Sequence, residues 1–221
     1  MKVCTDASTF GAWVKIGASQ QVLDIGTGTG LLALMVAQKC PDVCIDAVEY
    51  DEKTAMQAHA NVAGSPFSEQ IRVIHTAIQD FNPGRTYDCI ISNPPFFQSD
   101  LRSVENHLKN VAHHADTLNF ADLILSVDRL LSTHGHFYVL LPTDEGAVFL
   151  QMMTAQGWFL EQSVFLHHHA GKQAFRSFMR FSRGQGTIDQ VAESSLYIYE
   201  KDGITYDRAF KELMKEYYLK L

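Results

Sequence analysis

The sequence predicts an α/β fold in which a mostly parallel sheet of seven strands carries helices on both faces. Short runs rich in β-branched and aromatic residues alternate with helical patterns along most of the chain. Several of these runs are almost continuously apolar, as expected of strands that are buried on both faces. The last two long runs follow each other with no helix between them, which predicts an antiparallel end to the sheet.

The individual elements follow from the spacing of the apolar residues. Strands are predicted over residues 21–25, 43–49, 71–75, 87–92, 136–141, 159–166 and 175–181, with a further short strand over 196–199. Helices are predicted over residues 31–38, 52–63, 120–131, 144–156 and 207–218. No repeat, low-complexity tract or Pro/Gly/Ser linker divides the chain, so residues 1–221 are expected to form one domain.

The composition disfavours several classes of protein. Apolar residues make up 46% of the chain and charged residues 19%, which is typical of a globular protein and not of a disordered one. No apolar run approaches the ~20 residues of a membrane helix, and no signal-peptide pattern opens the chain, so a cytoplasmic protein without membrane contact is expected. The four cysteines lack the paired spacings of a zinc site, so no metal is expected.

The charge pattern leaves a nucleic-acid partner open. The formal net charge of −7 argues against an overall basic surface but does not report local patches. Basic residues gather late in the chain, at Lys172, Arg176, Arg180 and Arg183, and again at Lys211, Lys215 and Lys220. A solvated face is the favoured interpretation of these residues. The three histidines at 167–169 are interpreted as an exposed loop, because adjacent side chains point in different directions and suit a metal poorly.

A glycine-rich turn follows the first predicted strand. Residues 22–30 read VLDIGTGTG, so an apolar strand runs into a turn and then into a helix. Gly26, Gly28 and Gly30 permit positive φ angles and let a ligand approach the backbone closely. A dinucleotide fingerprint would need Gly or Ala at the position of Leu31, so a nicotinamide oxidoreductase is disfavoured.

Acidic residues accompany the ends of three successive predicted strands, at Asp24, Glu49 and Asp80. The carboxyl ends of parallel strands converge on a ligand crevice. There Glu49 could accept hydrogen bonds from ribose hydroxyls, and Asp80 could accept one from the amino group of an adenine ring. An acidic crevice suits a cofactor that carries a sulfonium cation and would repel a pyrophosphate, which points to S-adenosylmethionine.

The motif Asn93-Pro94-Pro95-Phe96 directly follows the predicted strand 87–92. The two prolines end the strand and stiffen the loop, because neither can donate a backbone hydrogen bond. An exocyclic amino nitrogen is a poor nucleophile, since its lone pair is delocalised into the ring. The Asn93 side-chain oxygen and the Pro94 carbonyl could each accept one of its hydrogens and so orient it. Phe96 could stack on the planar group, an interaction worth ~1–3 kcal/mol.

Together these motifs resemble the class I methyltransferases that modify planar amino groups, and most closely the bacterial tRNA1(Val) (adenine(37)-N6)-methyltransferase family. The stretches that carry the resemblance are 1–6, 31–37, 45–49, 90–95 and 217–221. The resemblance implies a Rossmann-like fold, S-adenosylmethionine as cofactor and methyl transfer to N6 of an adenine in tRNA, with Asn93, Pro94 and Phe96 as the catalytic residues. It also implies cofactor contacts by Thr5, Asp6, Asp24, Gly26, Gly28, Gly30, Glu49, Asp80 and Asn93.

The chain departs from this family at three places. Ala7 stands where the family usually has Gly, and Phe96 where Tyr is common. An N-terminal segment found in the family before Lys2 is expected to be missing. Two alternatives stay open: methylation of a protein glutamine or a DNA adenine, and a non-catalytic RNA-binding protein that retains the fold. His113 and His114 are candidates for RNA contact.

Overall fold

The computed structural model describes residues 4–17, 21–95, 118–184 and 191–219. The strands are β1 (Gln21–Ile25), β2 (Cys44–Glu49), β3 (Ile71–His75), β4 (Tyr87–Ser92), β5 (Leu131–Pro142), β6 (Trp158–His169), β7 (Ala174–Arg183) and β8 (Ala192–Tyr199). The helices in the described ranges are α1 (Thr5–Trp13), α2 (Leu31–Lys39), α3 (Glu52–Ala63), α4 (Phe120–Leu130), α5 (Thr143–Ala155) and α6 (Arg208–Met214). None of these helices is long and apolar enough to cross a bilayer.

All eight strands form one sheet in the order β3-β2-β1-β4-β5-β7-β6-β8. The first five strands of this order pair in parallel. Strand β7 pairs antiparallel with both β5 and β6, which confirms the predicted antiparallel end. The sheet has eight strands where seven were predicted, because the short strand predicted over 196–199 begins at Ala192 and pairs in parallel with β6.

Helices cover both faces of the sheet and bury a separate apolar cluster on each. One cluster includes Phe10 of α1, Val36 of α2 and Phe210 of α6. The other includes Val127 of α4 and Phe149 of α5. The predicted α/β fold with both faces covered is therefore confirmed.

Two local predictions need correction. The histidine run 167–169, expected in an exposed loop, forms the end of β6, because β6 continues beyond its predicted last residue and pairs with both neighbouring strands. Helix α6 spans only Arg208–Met214 of the predicted 207–218. Its start is fixed by Asp207, whose side chain accepts a hydrogen bond from the Ala209 N–H at 2.7 Å.

Helix α1 was not predicted from the sequence. It is buried almost all the way round, so it shows no one-sided apolar stripe. Its end is held by Lys39 of α2, whose ammonium donates hydrogen bonds to the carbonyls of Gly11, Ala12 and Val14 at 2.7, 2.7 and 2.6 Å. Carbonyls in the last turn of a helix lack intrahelical partners and favour a cation, so Lys39 stabilises the end of α1.

The strand order reverses between β1 and β4. Strands β2 and β3 lie on one side of β1, whereas β4 and the later strands lie on its other side. In open α/β sheets a ligand crevice lies beyond the carboxyl ends of the two strands at such a reversal. The glycine turn follows β1 at this edge, and Asn93 follows β4.

Candidate active site

The glycine turn has the backbone conformation that its sequence predicts. Gly26, Gly28 and Gly30 have φ angles of 69°, 61° and 85°, a region that side chains other than Gly rarely adopt. The N–H groups of Gly26 and Thr27 both donate to the Val48 carbonyl, at 2.9 and 3.0 Å. A Cβ atom placed on Gly26 would meet no heavy atom of the described residues within 4 Å. The backbone of Gly26 therefore borders open space that a ligand can fill.

Glu49 is tied to this turn by its carboxylate. One oxygen, Oε2, accepts from the Gly28 N–H at 2.9 Å, and the other, Oε1, accepts from the Asp51 N–H at 3.0 Å. An ionised carboxylate has about four acceptor positions, so each oxygen of Glu49 retains capacity for one more donor. Glu49 thus joins the turn to the start of α3 and can still accept two hydroxyl hydrogens.

Asn93 lies beside the glycine turn. Ile25 pairs with Ser92 in the β1–β4 register, and the Ser92 hydroxyl donates to the Ile25 carbonyl at 2.9 Å. The next residues of the two strands, Gly26 and Asn93, are therefore neighbours. Since Ile25 also pairs with Val48, Glu49 lies on the other side of Gly26. Two strand spacings, about 10 Å, separate the backbones of Glu49 and Asn93.

The side-chain oxygen of Asn93 is a buried acceptor that is not satisfied. Its Oδ1 atom is buried and accepts no hydrogen bond from any residue within the described ranges. Leaving a buried polar atom without a partner costs about 1–3 kcal/mol, so such atoms are uncommon and often have a functional role. A ligand that brings an N–H group into the crevice would remove this cost.

The remainder of the Asn-Pro-Pro-Phe motif is described only in part. Pro94 is buried and Pro95 is exposed, so the chain leaves the sheet directly after β4. Phe96 lies outside the described residues, as do His113 and His114. Stacking by Phe96 and acceptance of a hydrogen by the Pro94 carbonyl stay predictions.

Asp24 lies beneath the glycine turn and is fully buried, with 0% of its surface exposed. Its Oδ2 atom accepts from the Thr27 hydroxyl at 2.6 Å, whereas Oδ1 has no hydrogen-bond partner in the described part of the chain. Burial raises the pKa of this carboxyl to about 7, and the charge of Glu49 adds to the shift. Asp24 supports the turn from inside the protein, and its contact with a cofactor stays a prediction.

The raised pKa of Asp24 predicts a pH dependence of stability that Asp24→Asn should remove. Between about pH 4 and pH 7 the folded protein binds a proton at Asp24 that the unfolded chain has released. The free energy of unfolding of the wild type should therefore fall relative to that of the variant as pH rises through this window. The relative change should be on the order of 1–4 kcal/mol, measured by urea unfolding at both limits. A difference between the two proteins that does not vary with pH would contradict the assignment.

Asp80 is exposed in a turn after β3, and a distant arginine holds this turn. Arg129 of α4 donates to the carbonyls of Phe81 and Ile78, at 2.7 and 3.0 Å. Sequence reasoning missed Arg129, because 48 residues separate it from Phe81 and no local pattern links the two. Arg129 therefore fixes the backbone on both sides of a predicted cofactor-binding residue.

Arg129→Ala is expected to raise the KM for S-adenosylmethionine roughly threefold to tenfold with little change in kcat, because a loosened turn no longer presents Asp80 in one position. The matched control is Arg183→Ala, which removes a 2.7 Å ion pair to Asp128 on the same helix without touching the turn. Steady-state kinetics at saturating substrate would measure both. Equal effects of the two variants would show that Arg129 stabilises α4 in general and does not position Asp80.

Thr5 and Asp6 lie at the start of α1, where Asp6 contacts β7 close to the carboxyl end of β5. Asp6 forms an ion pair with Arg176 of β7, with 2.8 Å between Oδ2 and Nε, and its Oδ1 accepts from the Ala7 N–H at 2.9 Å. Thr5 is exposed, and its carbonyl accepts from the hydroxyls of Ser8 and Thr9. The charge of Asp6 is thus already balanced, and cofactor contact by Thr5 and Asp6 stays a prediction.

The late basic residues are mostly engaged in ion pairs. Besides the pair of Arg176 with Asp6, Arg180 lies 2.7 Å from Glu161 and Arg183 lies 2.7 Å from Asp128. These pairs connect β7 to α1, to β6 and to α4. The arginines of this segment therefore link elements of the fold and do not form a free basic face.

Comparison with known proteins connects this chain to a family of enzymes. Residues 10–136 match the family model described as methyltransferase small domain. The chain is 49% identical over 220 residues to a tRNA1(Val) (adenine(37)-N6)-methyltransferase of Dyadobacter fermentans, covering 100% of this chain and 91% of that protein. It is 40% identical over 222 residues to the protein of the same name from Pseudoalteromonas translucida, covering 100% and 93%.

Among solved structures, a predicted O-methyltransferase from Agrobacterium tumefaciens matches with a TM-score of 0.72 at 15% identity, over 96% of each chain. At this identity the match supports the fold alone. It extends over nearly the whole of both chains, so the two proteins share this fold from end to end.

Proposed function

The chain belongs to the tRNA1(Val) (adenine(37)-N6)-methyltransferase family, and from this membership we propose that it transfers a methyl group from S-adenosylmethionine to N6 of adenine 37 in a valine tRNA. The structural observation that supports transfer to an amino group is the unsatisfied Asn93 Oδ1 beside the glycine turn. A buried acceptor at that point suits a substrate that enters with an amino group. The continuous sheet from β1 to β8 supports a single domain over residues 1–221.

The residues of the crevice fit this cofactor. Gly26 borders open space, so its backbone can lie against the cofactor. Glu49 retains one acceptor position on each oxygen for the two ribose hydroxyls of the cofactor. The exposed Asp80 is available to the amino group of the cofactor's own adenine ring. These carboxylates also favour a molecule with net positive charge over one with a pyrophosphate. When bound, S-adenosylmethionine supplies an electrophilic methyl group on its sulfonium.

The chain's own contribution to the reaction is to orient and activate the amino nitrogen. Asn93 Oδ1 accepts one amino hydrogen, and the Pro94 carbonyl accepts the other. Both acceptors favour a tetrahedral nitrogen whose lone pair is no longer shared with the ring, and both stabilise the positive charge that develops there. The product nitrogen is a strong acid while it is positively charged, so it can release its proton to water without a dedicated base.

The target base must leave its stack to reach this crevice. Turning a nucleotide outward costs a few kcal/mol, and less for an unpaired base than for a paired one. A base in an anticodon loop is unpaired, which suits an enzyme whose acceptors lie at the edge of a sheet. We propose that Phe96 stacks on the base once it has entered.

Nucleoside mass spectrometry after incubation with S-adenosylmethionine and a tRNA1(Val) transcript tests the function. N6-methyladenosine should form on the natural transcript and not on a matched transcript with guanosine at position 37. Duplex DNA and a release-factor protein, offered in parallel, should stay unmethylated. Methylation of the guanosine-37 transcript would reject the proposed base, and methylation of DNA or protein alone would reject tRNA as the substrate.

A further inference from the structure

The hairpin between β6 and β7 extends beyond the end of β5 on the edge of the sheet that carries Asn93. Pro142, the last residue of β5, pairs with Arg176, and the chain before Arg176 continues past β5 to pair Ala174 with His167. We name residues 167–176 the hairpin tip. It rises about 10 Å above the end of β5, and β5 itself ends about 10 Å beyond the level of Ser92 in β4. Since β7 lies two strand spacings, about 10 Å, to the side of β4, the tip projects above the proposed active site on its β7 side.

The turn of the hairpin tip is braced by two histidines. His167 Nδ1 donates to the Lys172 carbonyl at 2.8 Å, and His169 Nδ1 donates to the Ala170 carbonyl at 2.9 Å. The Lys172 N–H donates a hydrogen bond to the His169 carbonyl at 3.1 Å, which closes the turn. Gly171 within this turn has a positive φ of 93°. These hydrogen bonds stabilise the turn without any contact to a partner.

This braced turn presents an aromatic surface. The exposed His168 ring stacks on the Phe175 ring, with 4.2 Å between centroids and 6° between planes. The Arg176 guanidinium lies over the same Phe175 ring, with its Cζ 5.4 Å from the centroid, and the ion pair with Asp6 holds that arginine in place. One face of the His168 ring is packed on Phe175, and the side chain is exposed to solvent at the surface of this stack.

The hairpin tip is also locally cationic. It contains no acidic residue, and its two cations differ, because Arg176 is paired with Asp6 whereas Lys172 faces solvent. The Lys172 ammonium is exposed and has no hydrogen bond or ion pair with the described part of the chain. The acidic residues of the turn after β8, Glu200 and Asp202, lie beyond β6 in the sheet order and so on the side away from β4. Glu200 and Asp202 therefore do not lie between Lys172 and Asn93.

We propose that the hairpin tip is a docking surface for the RNA substrate, in which Lys172 contacts a backbone phosphate and His168 stacks on an unpaired base. This inference rests on the proposed function, because it takes a tRNA as the partner of the neighbouring site. Phosphate contacts supply most of the sequence-independent affinity for nucleic acids. Unpaired bases in RNA loops stack readily on aromatic side chains, and histidine is among those used. The hairpin tip offers both kinds of contact, because Lys172 can bind a phosphate and the His168 ring can stack on a base.

Binding of a fluorescently labelled tRNA1(Val) transcript to the full chain, measured by anisotropy over a series of salt concentrations, tests this docking surface. Lys172→Ala should lower the slope of log Kd against log salt by about one, since one phosphate contact is lost. His168→Ala should weaken binding about 5- to 100-fold, the loss expected for one stacked base. Lys15→Ala is the matched control, because Lys15 is an exposed lysine that precedes β1 at the opposite edge of the sheet.

The outcomes separate the docking surface from the proposed function. The inference stands if both tip variants lose tRNA affinity while Lys15→Ala binds as the wild type does and all three bind S-adenosylmethionine equally. It is overturned if the tip variants bind tRNA with the wild-type affinity and salt slope, or if the wild type binds no tRNA. Binding through the tip without methylation of the transcript would instead reject the proposed function and keep the docking surface.

Discussion

Asn93→Ala is expected to lower kcat by about 10²–10³-fold, the loss typical when a preorganised hydrogen-bonding group at a reacting centre is removed. The effect on the Kd for S-adenosylmethionine should be much smaller, because the unsatisfied Oδ1 is assigned to the substrate amino group. Stability should not fall. Removing a buried acceptor that has no partner in the described structure takes away a cost of about 1–3 kcal/mol, so the melting temperature should be unchanged or higher.

Three measurements on the same variant separate a catalytic role of Asn93 from a structural one. Single-turnover kinetics with saturating cofactor reports the chemical step, calorimetry reports cofactor affinity, and thermal melting reports stability. Loss of turnover alone is the expected pattern. A parallel loss of melting temperature and cofactor affinity would mean that Asn93 supports the fold at the end of β4, and the catalytic assignment would have to be withdrawn.

Glu49→Ala is expected to have the converse effect and to raise the Kd for S-adenosylmethionine by about 10²–10³-fold. A hydrogen bond to a charged group contributes about 1.5–3 kcal/mol, and the variant loses the acceptor for two ribose hydroxyls. It also releases the Gly28 and Asp51 N–H groups, which Glu49 holds at 2.9 and 3.0 Å, so the glycine turn loses its link to α3. At saturating cofactor, kcat should fall far less than in Asn93→Ala.

Glu49→Gln is the matched variant for this position. It keeps one carbonyl acceptor and nearly the same shape but loses the charge, so its Kd should lie between those of the wild type and Glu49→Ala. Isothermal titration of the three proteins with S-adenosylmethionine would establish the order. If Glu49→Ala and Asn93→Ala weakened cofactor binding equally, the division of roles between the two sides of Gly26 would be wrong.

Much of this site could be predicted because its signals are local in the sequence. Strands β1, β3 and β4 and helix α3 begin and end at the predicted residues, since apolar runs and turn residues mark their ends. Gly26, Glu49 and Asn93 each come at or directly after the end of a strand, and parallel strands bring such residues to one edge. That these three residues lie close together could therefore be predicted from the strand assignments and the expectation of a parallel sheet.

The sequence by itself determined the alternating elements, the positive-φ glycine turn and the row of polar residues at the strand ends, because each depends on a pattern within about ten neighbouring residues. Only the tertiary structure decided which distant residues meet. Arg176 forms an ion pair with Asp6, which lies 170 residues earlier in the chain. Lys39 stabilises the end of α1 by hydrogen bonds to carbonyls 25 to 28 residues before it. A charge in a sequence does not specify its partner, since that choice depends on which surfaces the folded sheet brings together.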